Sequence, residues 1–242
     1  MNRSKFHVLG IIMLVLVAGC SSNVQPPTTP PQVNYVQGTT YVYYAQNLDK
    51  SSGQPVAGSG DTITSVVLQT GISYQGKTNV TEIQNTHSNA GTGVASMDTT
   101  YISQTNGEYW HYNFGLELLN SNTTVLGYAN SGNQINGGWV LQSKLAANVG
   151  DTWIGMDTTL TLKIGTAPLI DSVNEMNDTT LSTGTAKHTS HSIKLNAVVV
   201  NAKIDVESYI STANGPLLVK FPPDSLAGSA TPGRITTFVR VK

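Results

Sequence analysis

Polar and apolar residues alternate with a period of two over much of this chain. Trp110, Tyr112, Phe114 and Leu116 are separated by His111, Asn113 and Gly115, and Ile154, Met156, Thr158, Leu160, Leu162 and Ile164 alternate in the same way. That period sends successive side chains to opposite faces of a strand. Residues 234–242 put Ile235, Thr237, Val239 and Val241 on one face. Ile193, Leu195, Ala197 and Val199 share one parity but Ala202, Ile204 and Val206 the other, so a bulge or tight turn is expected near Val200-Asn201. Other strands are expected over 40–45, 62–69, 78–84, 99–104, 139–145 and 217–221. Asn106-Gly107 between two alternating runs is the strongest hairpin signal, and Asn136-Gly137-Gly138 and Asn148 to Asp151 mark further turns. Helical periodicity is nearly absent beyond the N-terminal apolar run. The expected fold is all-β, an antiparallel sandwich or an up-and-down barrel of about ten strands, and alternation does not choose between them.

The first residues break this pattern. Arg3 and Lys5 precede a continuous apolar run over residues 8–18, with no acidic residue before it. The run has about 11 residues, whereas a helix crossing the hydrocarbon core needs about 20. A secretory signal sequence is therefore expected rather than a permanent span. The run ends in Leu16-Val17-Ala18-Gly19-Cys20, which resembles the lipobox of bacterial lipoproteins. The resemblance implies cleavage between Gly19 and Cys20, a diacylglyceryl group on the Cys20 thiol and a third acyl chain, such as palmitate, on the new α-amino group. Two or more chains anchor a protein stably where one does not. Ser21, rather than Asp, follows the cysteine, which by the same resemblance implies sorting to the outer membrane. The short acidic run of many Bacteroides-type surface lipoproteins is missing.

Residues 21–38 hold four prolines and no charge, and read as an extended tether. About fifteen such residues, at ~3.1 Å each, would lift a domain roughly 45 Å from its anchor. The expected organisation is a signal peptide over 1–19, lipidated Cys20 with a Pro/Thr-rich tether through 38, and one β domain over 39–242. The lipobox, the tether and the Gly150-Asp151-Thr152-Trp153 strand start together resemble uncharacterised envelope lipoproteins of the Bacteroidetes and Chlorobi type.

Composition narrows the partners. Without Arg3 and Lys5, eleven basic residues face fourteen acidic ones, a net charge of −3. That balance offers no footprint for nucleic acid and no polybasic patch for anionic lipid. Cys20 is the only cysteine, so no disulfide is available. Seven of the nine Asp residues are followed by Ser or Thr, which reads as Asp closing a turn before the next strand. Six of these sites also resemble the Asp-Ser/Thr-aliphatic acceptor of Bacteroides-type O-glycosylation, which would place sugars on Thr62, Thr99, Thr158, Ser172, Thr179 and Ser225.

Catalytic chemistry leaves little trace. His188 and His191 would meet on a helix but face opposite sides of a strand, so a metal site is not expected. His111 reads as a solvated residue opposite Trp110 and Tyr112, and His87 lies in a Ser/Asn/Gly stretch. There is no Gly-x-Ser-x-Gly elbow, no Ser-x-x-Lys, and no phosphate or dinucleotide loop. The carboxylates Glu82, Glu108, Glu117, Glu175 and Glu207 form no marked pair for glycoside chemistry. No catalytic residue and no cofactor are assigned. Aromatics are the remaining candidates: Trp110, Tyr112, Trp139 and Trp153, with Trp153 out of parity and either exposed or closing a barrel end. Exposed rings on a β scaffold can stack on sugars or line an apolar cavity. The sequence therefore points to a non-enzymatic envelope lipoprotein whose β domain binds an apolar molecule, a glycan or a partner protein. The alternatives are a structural subunit of a surface or secretion assembly, and a hydrolase with a dispersed site. Against assembly, Arg234, Arg240 and Lys242 on the terminal strand would guard a sheet edge.

Overall fold

The structure, a computed structural model, describes residues 29–89, 95–116, 135–163, 165–197, 201–223 and 233–239. Among them lie thirteen strands and no helix: β1 (Thr40–Asn47), β2 (Asp61–Tyr74), β3 (Lys77–Asn89), β4 (Ala95–Thr105), β5 (Glu108–Tyr112), β6 (Trp139–Lys144), β7 (Thr152–Leu162), β8 (Gly165–Glu175), β9 (Thr179–Leu181), β10 (Gly184–Asn196), β11 (Asn201–Ser211), β12 (Gly215–Phe221) and β13 (Arg234–Val239). Twelve form one antiparallel path, β6-β5-β4-β3-β2-β1-β13-β12-β11-β10-β8-β7, and the short β9 pairs with β10 beside it. The path curls until its ends, β6 and β7, lie side by side. The fold is a nearly closed, barrel-like antiparallel sheet.

Neighbours on the path are joined by short turns wherever the sequence supplies the residues for one. Asn106 and Gly107 both take positive φ, 52° and 79°, and close the β4–β5 hairpin expected there. Gln75 and Gly76 do the same between β2 and β3, with φ of 44° and 78°. Such turns carry the twist that flanking strands require. The parity change near Asn201 is a hairpin, with Asn196 opposite Asn201. The expectation for the terminal strand fails. β13 is paired on one side with β1 and on the other with β12, so Arg234 guards no edge, while Arg240 and Lys242 lie outside the described residues.

Two local breaks redistribute the aromatic and aliphatic residues. β5 ends at Tyr112, and Asn113 takes a φ of 59°. Trp110 and Tyr112 therefore do not share a face with Phe114 and Leu116. Tyr109 and His111 point inward with the core, and Trp110 and Tyr112 point out. On β7, the register slips between Ile154 and Met156. Ile154 is turned out, 55% exposed, and Trp153 falls opposite core-facing Val173. Gly155 sits at this bulge because a Cβ there would run into Asp171 and Val173.

Two apolar clusters occupy much of the interior among the described residues. One apolar cluster, including Leu160, Leu169, Ile193, Leu195 and Ile204, covers the inner faces of β7, β8, β10 and β11. A second joins Val67, Ile83, Ile102 and Tyr109 to Ile210 and Leu145. Val33, 4% exposed, belongs to it. The Val33 N–H donates to Gln104 Oε1 at 2.7 Å, and Gln104 Nε2 donates back to the Val33 carbonyl at 2.9 Å. The Tyr35 and Tyr109 hydroxyls lie 2.6 Å apart. Packing thus begins before Thr39, inside the stretch expected to be tether.

Candidate functional site

Three of the four aromatic candidates come together. The tip of the β2–β3 hairpin folds across the outer face of β4, β5 and β6 and brings Tyr74 and Lys77 against Tyr101, Trp110, Tyr112 and Trp139. Tyr74 stacks on Tyr101 with centroids 3.6 Å apart. It meets Tyr112 and Trp139 edge-on at 5.2 and 6.3 Å, and those two rings meet each other at 5.3 Å. Lys77 Nζ lies 3.5 Å from the centroid of Trp110 and 5.8 Å from that of Trp139. Burial of the ammonium pulls the Lys77 pKa down, partly offset by Glu108. Each indole N–H is committed: Trp110 Nε1 donates to Glu108 Oε2 and Trp139 Nε1 to the Gln75 carbonyl, both at 3.0 Å. Tyr101 donates its hydroxyl to Glu82, which also accepts from Gln69.

Trp153 belongs elsewhere. It lies on the seam between the two ends of the sheet, where Nε1 donates to the Leu141 carbonyl at 3.0 Å and Lys144 Nζ stands 5.5 Å from the ring. Of the two readings for it, closure is the one realised, along the side of the barrel rather than at its end.

Two polar constellations were not legible in the sequence. On the inner face near the seam, His191 Nδ1 is 2.8 Å from Asp171 Oδ2, and its Nε2 is 3.1 Å from Thr189 Oγ1. Carboxylate, imidazole and hydroxyl stand in the order of an activated nucleophile. Their surroundings differ from those of a reaction site. Asp171 and Thr189 are 0% exposed and His191 1%, and the Thr189 hydroxyl donates to the Gln142 carbonyl at 3.3 Å. Gln142 Nε2 in turn donates to Ser208 Oγ at 2.7 Å, and Gln142 Oε1 faces His111 Nδ1 at 3.2 Å. The network ties β6 to the opposite wall, and burial pushes the His111 pKa down to about 4. His111 is therefore not the solvated residue expected from its neighbours. His188, on the other side of β10, stacks on Tyr209 at 4.2 Å, so the two histidines do face opposite ways.

The second constellation lies on the inner face of β2–β4. His87 Nδ1 is 3.2 Å from Asp61 Oδ2, and Nε2 is 2.8 Å from Asp98 Oδ2. Arg234 Nη2 donates to the same Asp61 oxygen at 3.2 Å. Both ring nitrogens face acceptors, so the charged ring is favoured: the hydrogen bond to Asp98 leads in raising the His87 pKa. Asp98 is held below its ordinary value, because the bonds from His87 and Asn85 outweigh its desolvation. The cluster is part-open, with the Asp98 side chain 56% and that of His87 25% exposed. Among the described residues no group of three His, Cys, Asp or Glu could hold a metal ion.

The acceptor-like residues are scattered. Thr99 and Ser172 are exposed, Thr62, Thr158 and Thr179 are half-buried, and Ser225 lies outside the described residues, as do Gly19, Cys20 and Glu117. The turn explanation for the Asp-Ser/Thr pairs holds before β7, where Asn148 N donates to Asp151 Oδ2 at 2.8 Å. It fails for Asp98, Asp157 and Asp171, which lie inside strands.

No protein-family model matches the chain, and no curated protein matches it. Two solved structures share its fold. An inferred lipoprotein from Parabacteroides distasonis matches with a TM-score of 0.53 at 12% identity, over 87% of this chain and 97% of that one. An inferred exported protein with a YmcC-like fold, from Bacteroides fragilis, matches with a TM-score of 0.52 at 11% identity, over 88% of this chain and 99% of that one. The fold is common to all three.

Proposed function

We propose that this protein is a lipid-anchored envelope protein, tethered through Cys20 to the outer membrane, that binds an external ligand on its outer wall and performs no chemistry of its own. The lipobox-like Leu16 to Cys20 supplies the anchor, and the shared fold with an inferred lipoprotein and an inferred exported protein is consistent with export. The observation that carries the binding site is a contrast within the sheet. Its interior holds two apolar clusters, the second of them including Val33, while Trp110, Tyr112 and Trp139 gather on the outside with Tyr74 and Lys77. An interior packed with apolar side chains over β7, β8, β10 and β11 favours surface recognition over carriage of an apolar molecule. A subunit role has less support, since the two ends of the path lie against each other.

Native mass spectrometry of the mature protein, extracted from its own membrane with the Cys20 modification mapped, tests the reading. The expected spectrum is a triacylated chain carrying no second apolar molecule, with any sugar on the exposed Thr99 or Ser172. An apolar molecule of fixed mass and stoichiometry would overturn the outer-wall reading, and an unmodified Cys20 would overturn the anchor.

A further inference from the structure

We infer that the outer aromatic wall is a binding surface for neutral saccharides, an assignment that rests on the outer-wall reading above and names its ligand class. A sugar ring offers an apolar C–H face surrounded by hydroxyl groups, each both donor and acceptor. The wall offers the complement. Trp139, Tyr112 and Trp110 supply half-buried aromatic surface across neighbouring strands β5 and β6, in register Tyr112 to Trp139. Glu82 and Glu108 place carboxylate acceptors beside the rings, already bonded to Tyr101 and Trp110 and so fixed in place.

Lys77 provides the donors. Its ammonium rests on the indole of Trp110 rather than on a carboxylate, and no ion pair to it occurs among the described residues. A cation seated on a ring keeps N–H groups directed away from that ring, toward whatever occupies the wall. Partial burial has lowered its pKa, so a ligand that hydrogen-bonds to it displaces only part of a full hydration shell.

Charge decides the class of sugar. One ammonium stands among two carboxylates, so the wall as a whole is net negative, as is the mature chain. An acidic saccharide would meet repulsion from Glu82 and Glu108, and a neutral one would not. An apolar ligand would desolvate Glu82, Glu108 and Lys77 further while supplying no hydrogen bond in place of water, which is costly.

Calorimetric titration of the full mature protein with neutral oligosaccharides (cellohexaose, mannohexaose) and with hexagalacturonate tests this. The expected result is binding of a neutral oligomer that changes little with added salt. Trp139→Ala should weaken it on the order of tenfold or more, and Lys77→Met, which keeps the aliphatic stem over Trp110, by several-fold. Trp139→Phe retains a ring to pack against Tyr74 and should recover part of the affinity, which guards against a misfolded alanine variant. Preferential, salt-sensitive binding of hexagalacturonate that Lys77→Met abolishes would overturn the neutral class while leaving the outer-wall reading intact. Neutral binding unchanged in all three variants would overturn the wall itself. Absence of binding to every oligomer would overturn the saccharide assignment, and the native mass spectrum would then judge the outer-wall reading separately.

Discussion

The two walls of the barrel obey the same alternation with opposite content. On β7, β8, β10 and β11 the inward positions are buried and mostly apolar, Leu160, Leu169, Ile193, Leu195 and Ile204 among them, with Asp171, Glu175, Thr189 and His191 enclosed beside them. On the far part of β2–β4 the inward positions are mostly polar: around Ile63 stand Asp61, Ser65, Asn85, His87, Asp98 and Thr100, joined by hydrogen bonds and part-open to solvent. The outward positions of those same strands, such as Thr62, Thr64, Gln84 and Thr99, are polar as well. The first wall is stabilised by removing apolar surface from water, at roughly 25 cal/mol per Å². The second is held by its ladders and by charge pairs whose exposure limits their worth. Substitution in the apolar wall is therefore expected to cost more in folding than substitution in the polar one.

Substitutions should separate the walls, and the largest effect belongs to the buried one. Asp171→Ala leaves His191 Nδ1 without its carboxylate partner at a site with no solvent, and should cost about 3–5 kcal/mol in denaturant unfolding. A loss below about 1 kcal/mol would mean that the network does not close the seam. Next comes a pH effect at the rim of the same wall. Glu175 is buried, and desolvation pushes its pKa up to about 7 against the pull of Lys187, 3.8 Å away. A carboxyl raised in the folded state contributes stability that is full below about 4.5 and lost as pH rises through about 7. Glu175→Gln should therefore flatten the decline of Tm between those values and gain up to about 3 kcal/mol over the parent above them. Identical pH profiles for the two proteins would show that Glu175 does not titrate in that range. The smallest effect is expected on the open wall. His87 is raised, so its contribution is present below about 6.5 and fades as pH rises through its folded value. His87→Gln should remove that dependence at a cost below about 1 kcal/mol. A loss as large as that for Asp171→Ala would erase the distinction between the walls.

Most strands could be read from alternation because inward and outward residues differ in polarity, as Leu160 and Leu162 do from Thr159 and Thr161. β8 escaped notice. Two of its inward positions are Asp171 and Glu175, and it contains Pro168, which sits where β8 has left the ladder with β10. The face of Trp110 and Tyr112 was misread because one residue, Asn113, ends the strand with a positive φ, and alternation continues past it by coincidence. The aromatic wall was therefore foreseen as a list of residues and not as a surface. Its assembly depends on the hairpin tip at Gln75-Gly76 folding over β4–β6, a long-range event with no local signature. The buried network and the His87 cluster were invisible for a related reason: Asp171 and His191, or His87 and Asp98, become neighbours only through ladder register.

The clasp between Val33 and Gln104 also governs how a load would enter the molecule. Pull arriving from the N-terminal side reaches this pair of side-chain hydrogen bonds, and the Tyr35–Tyr109 contact, before it reaches the first ladder. β1 lies behind them, sewn on both sides to β2 and β13. The clasp can let go first, paying out a few residues of chain while every strand of the barrel stays seated. Under such a load it would act as a mechanical fuse between the segment before Val33 and the fold.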